Sequence, residues 1–315
     1  MPRIGITMGD PAGIGPEIVT KALAGASMKE VCRPLIIGDE TVLQRTADEL
    51  GLRLNDVEIY DLNNVPARVV PGVESADTGR ASAQYIETAV ELWRKGQIDA
   101  IATAPISKKA LSLAGYHYPG HTEFLAELTG TREFAMSFFA EKLRVVLLST
   151  HVSLRDAIEL VKRDSLARLI KFSNATISQL LKKDIKIAVA GLNPHASEGG
   201  MFGSEEADEI IPAIAECREA GIDVHGPFSP DTIFLRGFRG EFDAVISCYH
   251  DQATIAVKSL SFGSSVNVTL GLPLIRTSVD HGTAFDIAGK GIAEESSMRA
   301  AIRLAAELVQ SSNSQ

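Results

Sequence analysis

Hydrophobic and polar positions alternate between two patterns along the first part of the chain. Short apolar runs at 3–8, 34–38, 57–60 and 100–103 predict buried strands. Between them, apolar positions recur every three or four residues, most extensively at 78–95, and predict helices. Because strands and helices alternate, we predict a largely parallel sheet that helices cover on both faces.

The second part of the chain departs from strict alternation. Residues 134–140 and 143–150 predict an antiparallel hairpin. The elements predicted after it are a helix at 153–181, a strand at 185–190, a helix at 204–220, a strand at 224–225, a loop at 226–231 and a strand at 244–247. A final helix at 294–309, with Met298 and Ile302 on its apolar face, is expected to pack on the first lobe.

Length and composition describe an ordinary globular α/β protein. The 315 residues suffice for two packed lobes, and we predict residues 1–130 with 285–315 as the first and 131–284 as the second. Hydrophobic residues make up 45% and charged residues 23%, close to the globular average. The net charge of -9 argues against a nucleic-acid partner, because binding a phosphate backbone needs a basic surface.

Membrane and secreted locations are not expected. No apolar run approaches the roughly 20 residues of a membrane span, and the N-terminus lacks the pattern of a signal peptide. Cys32, Cys217 and Cys248 lie far apart and form no CxxC pair, so neither a disulfide framework nor a thiolate metal site is indicated. We therefore predict a cytoplasmic protein.

Residues 248–291 carry the densest set of chemically active side chains. His250 and Asp251 follow an apolar run, and ligands of open α/β sheets bind beyond the carboxyl ends of strands. Lys258 is a candidate acid or base, although a solvated surface lysine fits its sequence context equally well. Arg276 follows another apolar run, and its planar guanidinium suits a phosphate or carboxylate. We predict a ligand site here.

Three histidines share one sequence context, since His151, His195 and His250 each follow an apolar strand. Converging neutral imidazoles are a good ligand set for zinc or a similar divalent metal, although any one of them alone fits a structural role better. His121 and Thr122 lie at a predicted helix start, where they can face a cleft or serve as cap and core residues.

A glycine-rich turn at 9–17 joins the first strand to the first helix. Its exposed amides suit an anion, and a tight turn that requires glycine is an equally good interpretation. The turn is neither GxGxxG nor a phosphate loop that ends in Lys-Ser/Thr.

The segment DHGTAFDIAGKG at 280–291 closely resembles the adenosine-binding loop of isopropylmalate dehydrogenases. By that resemblance His281 contacts adenine, Asp286 contacts the ribose hydroxyls, and Gly282 and Thr283 complete the cofactor site. An acid at this position repels a 2′-phosphate, so the expected cofactor is NAD rather than NADP.

The chain as a whole resembles the 4-hydroxythreonine-4-phosphate dehydrogenase family from end to end. The motifs that carry the resemblance are GDPAGIGPE at 9–17, TAPISK at 103–108, GHTEF at 120–124, STH at 149–151, NPHASEGG at 193–200, PDTIF at 230–234, YHDQ at 249–252 and VNVTLGLPLIRTSVDHGTAFDIAG at 266–289. The family implies an isopropylmalate dehydrogenase-like fold of two lobes around a mostly parallel sheet, with the active site in the cleft between them. It also implies a homodimer with the site at the subunit interface.

The resemblance also assigns roles to individual residues. His151, His195 and His250 are the implied ligands of a divalent metal, either zinc, magnesium or cobalt. The implied substrate contacts are His121, Thr122, Lys258, Asn267 and Arg276. Lys258 and Asp251 are the predicted catalytic residues, with Lys258 as the proton donor to an enolate.

The implied reaction belongs to pyridoxal phosphate synthesis. 4-Phosphohydroxy-L-threonine is oxidised by NAD to a 3-keto acid, which loses carbon dioxide to give 3-amino-2-oxopropyl phosphate. A related dehydrogenase acting on D-erythronate or D-threonate 4-phosphate, or on a dihydrodiol carboxylate, is the alternative. It is motivated by the departure from the family pattern after YHDQ, at 253–255, and further departures near the presumed pocket lie at Ser197, 201–202 and 258–260.

Two other classes of function are weaker interpretations. A three-histidine hydrolase would have no need of the adenosine loop. A non-catalytic nucleotide-binding protein should have lost a site histidine or lysine, and each of these implied positions is retained.

Overall fold

A computed structural model describes residues 1–55, 57–261 and 263–313. The chain forms two compact units, Met1–Phe134 with Leu272–Gln315, and Ala135–Gly271. Each unit has the α/β class predicted from the pattern. The second change of unit falls at 271/272, whereas the sequence placed it at 284/285, because the strand at 275–278 pairs with the strand at 100–103 of the first unit.

The first unit is a parallel sheet covered by helices. Its elements are β1 Arg3–Thr7, α1 Gly15–Leu23, β2 Arg33–Gly38, α2 Glu40–Leu50, β3 Glu58–Asp61, α3 Ala76–Arg94, β4 Ala100–Thr103, α4 Lys108–Leu113, α5 His121–Thr129, β11 Ile275–Ser278 and α11 Ser296–Asn313. The strand order is β3-β2-β1-β4-β11, with every neighbouring pair parallel. The parallel sheet predicted for this part of the chain is confirmed.

Local sequence signals account for several boundaries in this unit. The Asp39 carboxylate caps α2 by accepting from the amide of Val42, and Gly51 ends the helix in a left-handed conformation. Ser75 begins α3 in a reciprocal capping box. Met298 and Ile302 of α11 are fully buried in the core of this unit, as their apolar spacing predicted.

The second unit has a mixed sheet. Its elements are β5 Ala135–Ala140, β6 Leu143–Leu147, α6 Leu154–Glu159, α7 Arg163–Leu181, β7 Ile187–Ala190, α8 Ile211–Glu219, β8 Val224–Phe228, α9 Pro230–Phe238, β9 Ala244–Ser247, α10 His250–Leu260 and β10 Val266–Leu270. The strand order is β10-β5-β6-β9-β7-β8. β5 is antiparallel to β10 and β6, and the pairs from β6 to β8 are parallel. The predicted hairpin is therefore confirmed.

The single helix predicted at 153–181 is wrong, because two helices occupy this stretch. Lys162 is extended and Val161 is buried, so the chain leaves the helix between α6 and α7. The carboxylate of Glu209 then accepts from the amide of Arg163 at 2.7 Å and caps α7 from outside. Such a cap from a distant residue leaves no local sequence signal.

Two further differences concern the predicted helix at 204–220 and the loop at 226–231. The helix is present, but its first turn, Glu206–Ile210, is π-helical and precedes α8. The loop is shorter than predicted, since β8 continues to Phe228 and α9 begins at Pro230, a residue suited to a first helical turn.

Within the described residues, none of the helices has the length and apolar character that a bilayer crossing requires. The three cysteines are buried free thiols. Burial raises the pKa of Cys248 to about 12 and that of Cys32 to about 11, so both stay protonated and unreactive at neutral pH.

We expect Gly79→Ala to lower the free energy of unfolding by roughly 1–3 kcal/mol. A methyl group at Gly79 in α3 would lie 1.9 Å from the carbonyl oxygen of Ala110 in α4, so the two helix backbones must separate. Gly25→Ala is the matched control, because a methyl group there meets no atom within 4 Å. Urea denaturation measures both variants, and equal stabilities for them would contradict the close packing of α3 on α4.

Candidate active site

The glycine-rich turn after β1 uses its amides within the protein. The amide of Ala12 donates to the Asp10 carboxylate at 2.9 Å, and that of Gly13 donates to the Asp10 carbonyl at 3.0 Å. The amide of Ile14 donates to the carbonyl of Thr283 at 2.9 Å. Of the two interpretations of this turn, the tight structural turn is therefore the better one.

The turn also supports the loop that resembles an adenosine-binding segment. A methyl group at Gly13 would lie 3.0 Å from Thr283 Cβ, so a larger residue would push the loop away by a few tenths of an ångström. Lys21 donates to the carbonyls of Gly291 and Ala293 at 2.9 and 2.7 Å. The buried Glu17 carboxylate accepts from Lys21 and from the amide of Ala293. The first helix thus fixes both the start and the end of the loop.

The predicted cofactor residues lie together on this loop. His281, Gly282 and Asp286 are exposed on the first unit, and Thr283 is half-buried against the turn. His281 Nδ1 lies 3.1 Å from the Gly282 carbonyl, which orients the ring. An exposed imidazole and carboxylate on a braced loop suit the aromatic and hydroxyl groups of an adenosine.

His121 and Thr122 begin α5, and both are buried. Arg276 on β11 is also buried, and its Nε and Nη2 atoms donate to the Thr103 hydroxyl at 3.2 and 2.9 Å. Burial lowers the pKa of Arg276 to about 9, with Glu123 acting in the opposite direction, so the guanidinium remains a cation at neutral pH. A desolvated cation of this kind strongly favours an anionic ligand.

His121 is electrically neutral in this environment. Burial, and then the nearby charge of Arg276, lower its pKa well below the usual value. Within the described part of the chain, its buried Nε2 atom has no hydrogen-bond partner. Because buried polar atoms are nearly always paired, this atom marks a place for a ligand hydroxyl or oxygen. His121 can therefore orient a ligand by hydrogen bonding, while Arg276 supplies the charge.

Asn267 and Lys258 belong to the second unit. Asn267 lies on β10 opposite Phe138, and its buried Oδ1 atom has no partner among the described residues. Lys258 is exposed on α10, two turns after His250. Of the two interpretations of Lys258 from the sequence, the structure agrees with the solvated surface position.

His151 and His250 come together in the second unit. Their ring centroids are 5.9 Å apart, at a cavity of about 230 Å³ lined by residues 150–152, 154, 157 and 249–251. His250 Nδ1 lies 2.7 Å from the Asp251 carboxylate, which leaves Nε2 facing away from that bond. A carboxylate on one ring nitrogen is the usual way to orient a metal-binding imidazole.

His195 lies in an unusual turn after β7. Four non-glycine residues in succession, 195–198, have positive φ angles between 47° and 71°, a conformation that costs roughly 1–2 kcal/mol per residue. Among the residues that the structure describes, no three His, Cys, Asp or Glu side chains are grouped to hold a metal ion. The pair of His151 and His250 is assembled, and a three-histidine set that includes His195 stays a prediction.

Sequence reasoning missed the residues that hold these groups in place. Thr103 anchors Arg276, and its position at a strand end in TAPISK was the available signal. Glu206 and Gln252 bond the backbone beside His195. Glu206 is thirteen residues from Asn193, and no motif connects them.

We expect Asp10→Asn to change how stability depends on pH. Burial chiefly, opposed by bonds from Ala12 and Thr78, raises the pKa of Asp10 from 3.8 to about 6. Between pH 4 and 6 the folded protein therefore binds more protons than the unfolded chain, so stability falls as pH rises. Asparagine stays neutral, and its stability relative to wild type should grow by about 2–3 kcal/mol from pH 4 to 7.5. Urea denaturation measures this difference, and a constant difference would contradict the burial of a charged Asp10.

Comparison with known proteins defines the family. A family model described as pyridoxal phosphate biosynthetic protein PdxA matches residues 30–305. A D-threonate 4-phosphate dehydrogenase of Cupriavidus necator is 46% identical over 98% of this chain and 97% of its own length. A 4-hydroxythreonine-4-phosphate dehydrogenase of Desulforapulum autotrophicum is 45% identical over 97% of this chain and 95% of its own.

A solved structure gives the same result. The crystal structure of a 4-hydroxythreonine-4-phosphate dehydrogenase from Burkholderia phymatum matches with a TM-score of 0.85 and 47% identity, and the match covers 98% of each chain. The resemblance drawn from the motifs is thereby confirmed. The chain belongs to the PdxA family and is an oxidoreductase of that family's dehydrogenase type.

Proposed function

We propose that this protein oxidises 4-phosphohydroxy-L-threonine at C3, with NAD as hydride acceptor and with a divalent metal. The observation that carries the proposal is the neutral, buried His121 beside the buried cation Arg276 in a chain of the PdxA family. His121 suits a substrate hydroxyl or carbonyl oxygen, and Arg276 suits the phosphate or carboxylate.

Three of the assigned substrate contacts lie in the first unit. Arg276, held by Thr103, binds a substrate anion, and His121 and Thr122 orient neighbouring oxygens. From the second unit we assign Asn267, whose buried Oδ1 atom can accept from a substrate N–H or O–H.

A divalent metal fits the paired imidazoles of the second unit. Two imidazoles that bind one zinc ion at about 2.1 Å place their ring centroids about 5–6 Å apart, and His151 and His250 have this spacing. Asp251 orients His250 for such binding, and we propose His195 as the third ligand. When bound, the metal would lower the pKa of the substrate hydroxyl and stabilise the enolate that remains after decarboxylation. Zinc, magnesium and cobalt are the candidate ions.

The loop at 280–291 is the proposed NAD site. His281 would contact the adenine, with Gly282 and Thr283 beside it, and the exposed Asp286 carboxylate would accept from the ribose hydroxyls. Asp286 repels a 2′-phosphate, so NAD is preferred over NADP.

Decarboxylation follows from the position of the new ketone. Oxidation at C3 makes the substrate a β-keto acid, and loss of carbon dioxide leaves an enolate that needs one proton at C2. We assign this proton to Lys258, whose exposed position on α10 allows exchange with solvent. The product is 3-amino-2-oxopropyl phosphate. Asp251 contributes by orienting His250 through the hydrogen bond between their side chains.

A cytoplasmic homodimer with the site at the interface is part of the proposal. Val152 and Leu154, which line the same cavity as the two histidines, are 47% and 59% exposed. Exposed apolar side chains next to a site favour a protein contact over bare solvent. A second copy of the chain is the partner that the family resemblance implies.

D-Threonate 4-phosphate is the second candidate substrate. The name of the Cupriavidus necator relative favours it, as do the departures from the family pattern at 253–255 and 258–260, close to His250 and Lys258 in sequence. The two acids share a C4 phosphate and a C3 hydroxyl and differ at C2, so the same anion and hydroxyl contacts serve both.

The direct test is NADH formation from 4-phosphohydroxy-L-threonine before and after metal removal by a chelator. We expect turnover that disappears with the metal and returns when zinc, magnesium or cobalt is added back. D-Threonate 4-phosphate and D-erythronate 4-phosphate are measured in parallel. A much higher kcat/KM for either would transfer the assignment to that acid, and turnover unaffected by chelation would contradict the metal requirement.

We expect Arg276→Lys to raise KM for the phosphorylated substrate by roughly 10–100-fold, with a smaller change in kcat. Lysine cannot make the paired Nε and Nη2 bonds to Thr103 and present a planar fork to an anion. Arg144→Lys is the control, since Arg144 is half-buried over the Phe139 ring and outside the proposed site. Steady-state kinetics with inorganic phosphate as a competing anion measures both. An unchanged KM and phosphate inhibition in Arg276→Lys would exclude the assigned role.

A further inference from the structure

We propose that Glu206 is a positioning residue for His195. The inference rests on the proposed function, in which His195 is a metal ligand, and it explains how a residue in a strained turn is held ready to bind. Glu206 lies in the π-helical turn before α8, far from the histidine in sequence, and is 2% exposed.

The Glu206 carboxylate accepts hydrogen bonds from the segment that leads to His195. Its Oε1 atom accepts from the amides of Leu192 and Asn193 at 2.8 and 2.7 Å. Its Oε2 atom accepts from the side chain of Asn193 at 2.9 Å. Three donors on one buried carboxylate fix the backbone that enters the turn two residues before His195.

The turn needs such support because its conformation is unfavourable on its own. Residues 195–198 all have left-handed backbone conformations. The amide of Ala196 donates to the Asn193 carbonyl at 3.1 Å, and the Ser197 hydroxyl donates to the Gly203 carbonyl. The residue that Glu206 holds in place, Asn193, thus also accepts a hydrogen bond from within the turn. Strain of this kind persists only where the surroundings determine the conformation.

A second buried side chain joins the same segment to the helix that carries His250. Gln252 accepts from the amide of Cys248 at 2.7 Å and donates to the carbonyl of Gly191 at 2.8 Å. Gly191 directly precedes Leu192. The segment that Glu206 bonds therefore directly follows the residue that Gln252 bonds. Together the two side chains connect the chain before the His195 turn to the start of α10.

Glu205, the residue before Glu206, makes a different set of contacts. The neighbouring Glu205 is only half-buried, and its carboxylate accepts from the Asn193 side chain at 2.7 Å and from the backbone amides of Ser204 and Glu205. Both acids thus bond the Asn193 side chain, but Glu206 holds the backbone that leads to His195, whereas Glu205 bonds the backbone at its own helix start. This difference makes Glu205 a matched control.

The test compares Glu206→Gln with Glu205→Gln in the full-length protein loaded with cobalt. Glutamine at 206 keeps one oxygen for the two amides and loses the acceptor for Asn193. We expect the cobalt Kd, measured by competition with a chelator, to rise about 10–100-fold in Glu206→Gln, as for other outer residues of metal sites. Glu205→Gln should stay within about threefold, and the visible absorption band of cobalt should change only in Glu206→Gln.

A double-mutant cycle separates positioning from general damage. In a His195→Ala background, Glu206→Gln should have no further effect on the cobalt Kd, because the ligand it positions is absent. An equal loss in both backgrounds would overturn the proposal, and so would a wild-type Kd in Glu206→Gln. Should that variant not fold, Asn193→Ala removes the side-chain bonds to Glu205 and to Glu206 Oε2 but keeps the bonds from the backbone amides to Glu206. It should raise the Kd about threefold or more only when His195 is present. A wild-type protein that takes up no cobalt would instead refute the metal site of the proposed function.

Discussion

Just after the carboxyl ends of the buried strands, backbone amides and carbonyls lie in the interior but no longer pair with a neighbouring strand. Each of these groups needs another hydrogen bond. In the first unit Asp10 satisfies the turn after β1, and in the second unit Glu206 and Gln252 satisfy the segment after β7. Both candidate sites depend on these bonds, because the functional side chains lie only a few residues further along the chain.

Burial determines the charges of the candidate site residues in the first unit as well as how that unit packs. Desolvation removes the charge from His121 and leaves Arg276 as a cation held by Thr103. Two basic residues therefore take different tasks, one as a neutral hydrogen-bonding group and the other as an anion site. In the second unit His250 is half-buried and paired with Asp251, an arrangement that orients a metal-binding imidazole.

The sequence predicted the elements with strong periodicity and the residues that belong to motifs. The predicted strand at 100–103, the helix at 40–50 and the hairpin of β5 and β6 were correct because their signals are local. The break between α6 and α7 depends on Glu209, and the support of the His195 turn depends on Glu206. Neither contact has a fixed spacing, so only the folded structure shows it. The proximity of His151 and His250 could be expected from their strand ends, whereas the left-handed turn at His195 could not.

The most direct measurement of the central claim is an anomalous diffraction map of crystals grown with zinc and NAD, with data collected on both sides of the zinc absorption edge. The account predicts a zinc peak at about 2.1 Å from Nε2 of His250 and from a ring nitrogen of His151, with the adenosine against His281 and Asp286. A zinc peak elsewhere, or none at this pair of histidines, would contradict the assignment of the metal site and the chemistry built on it.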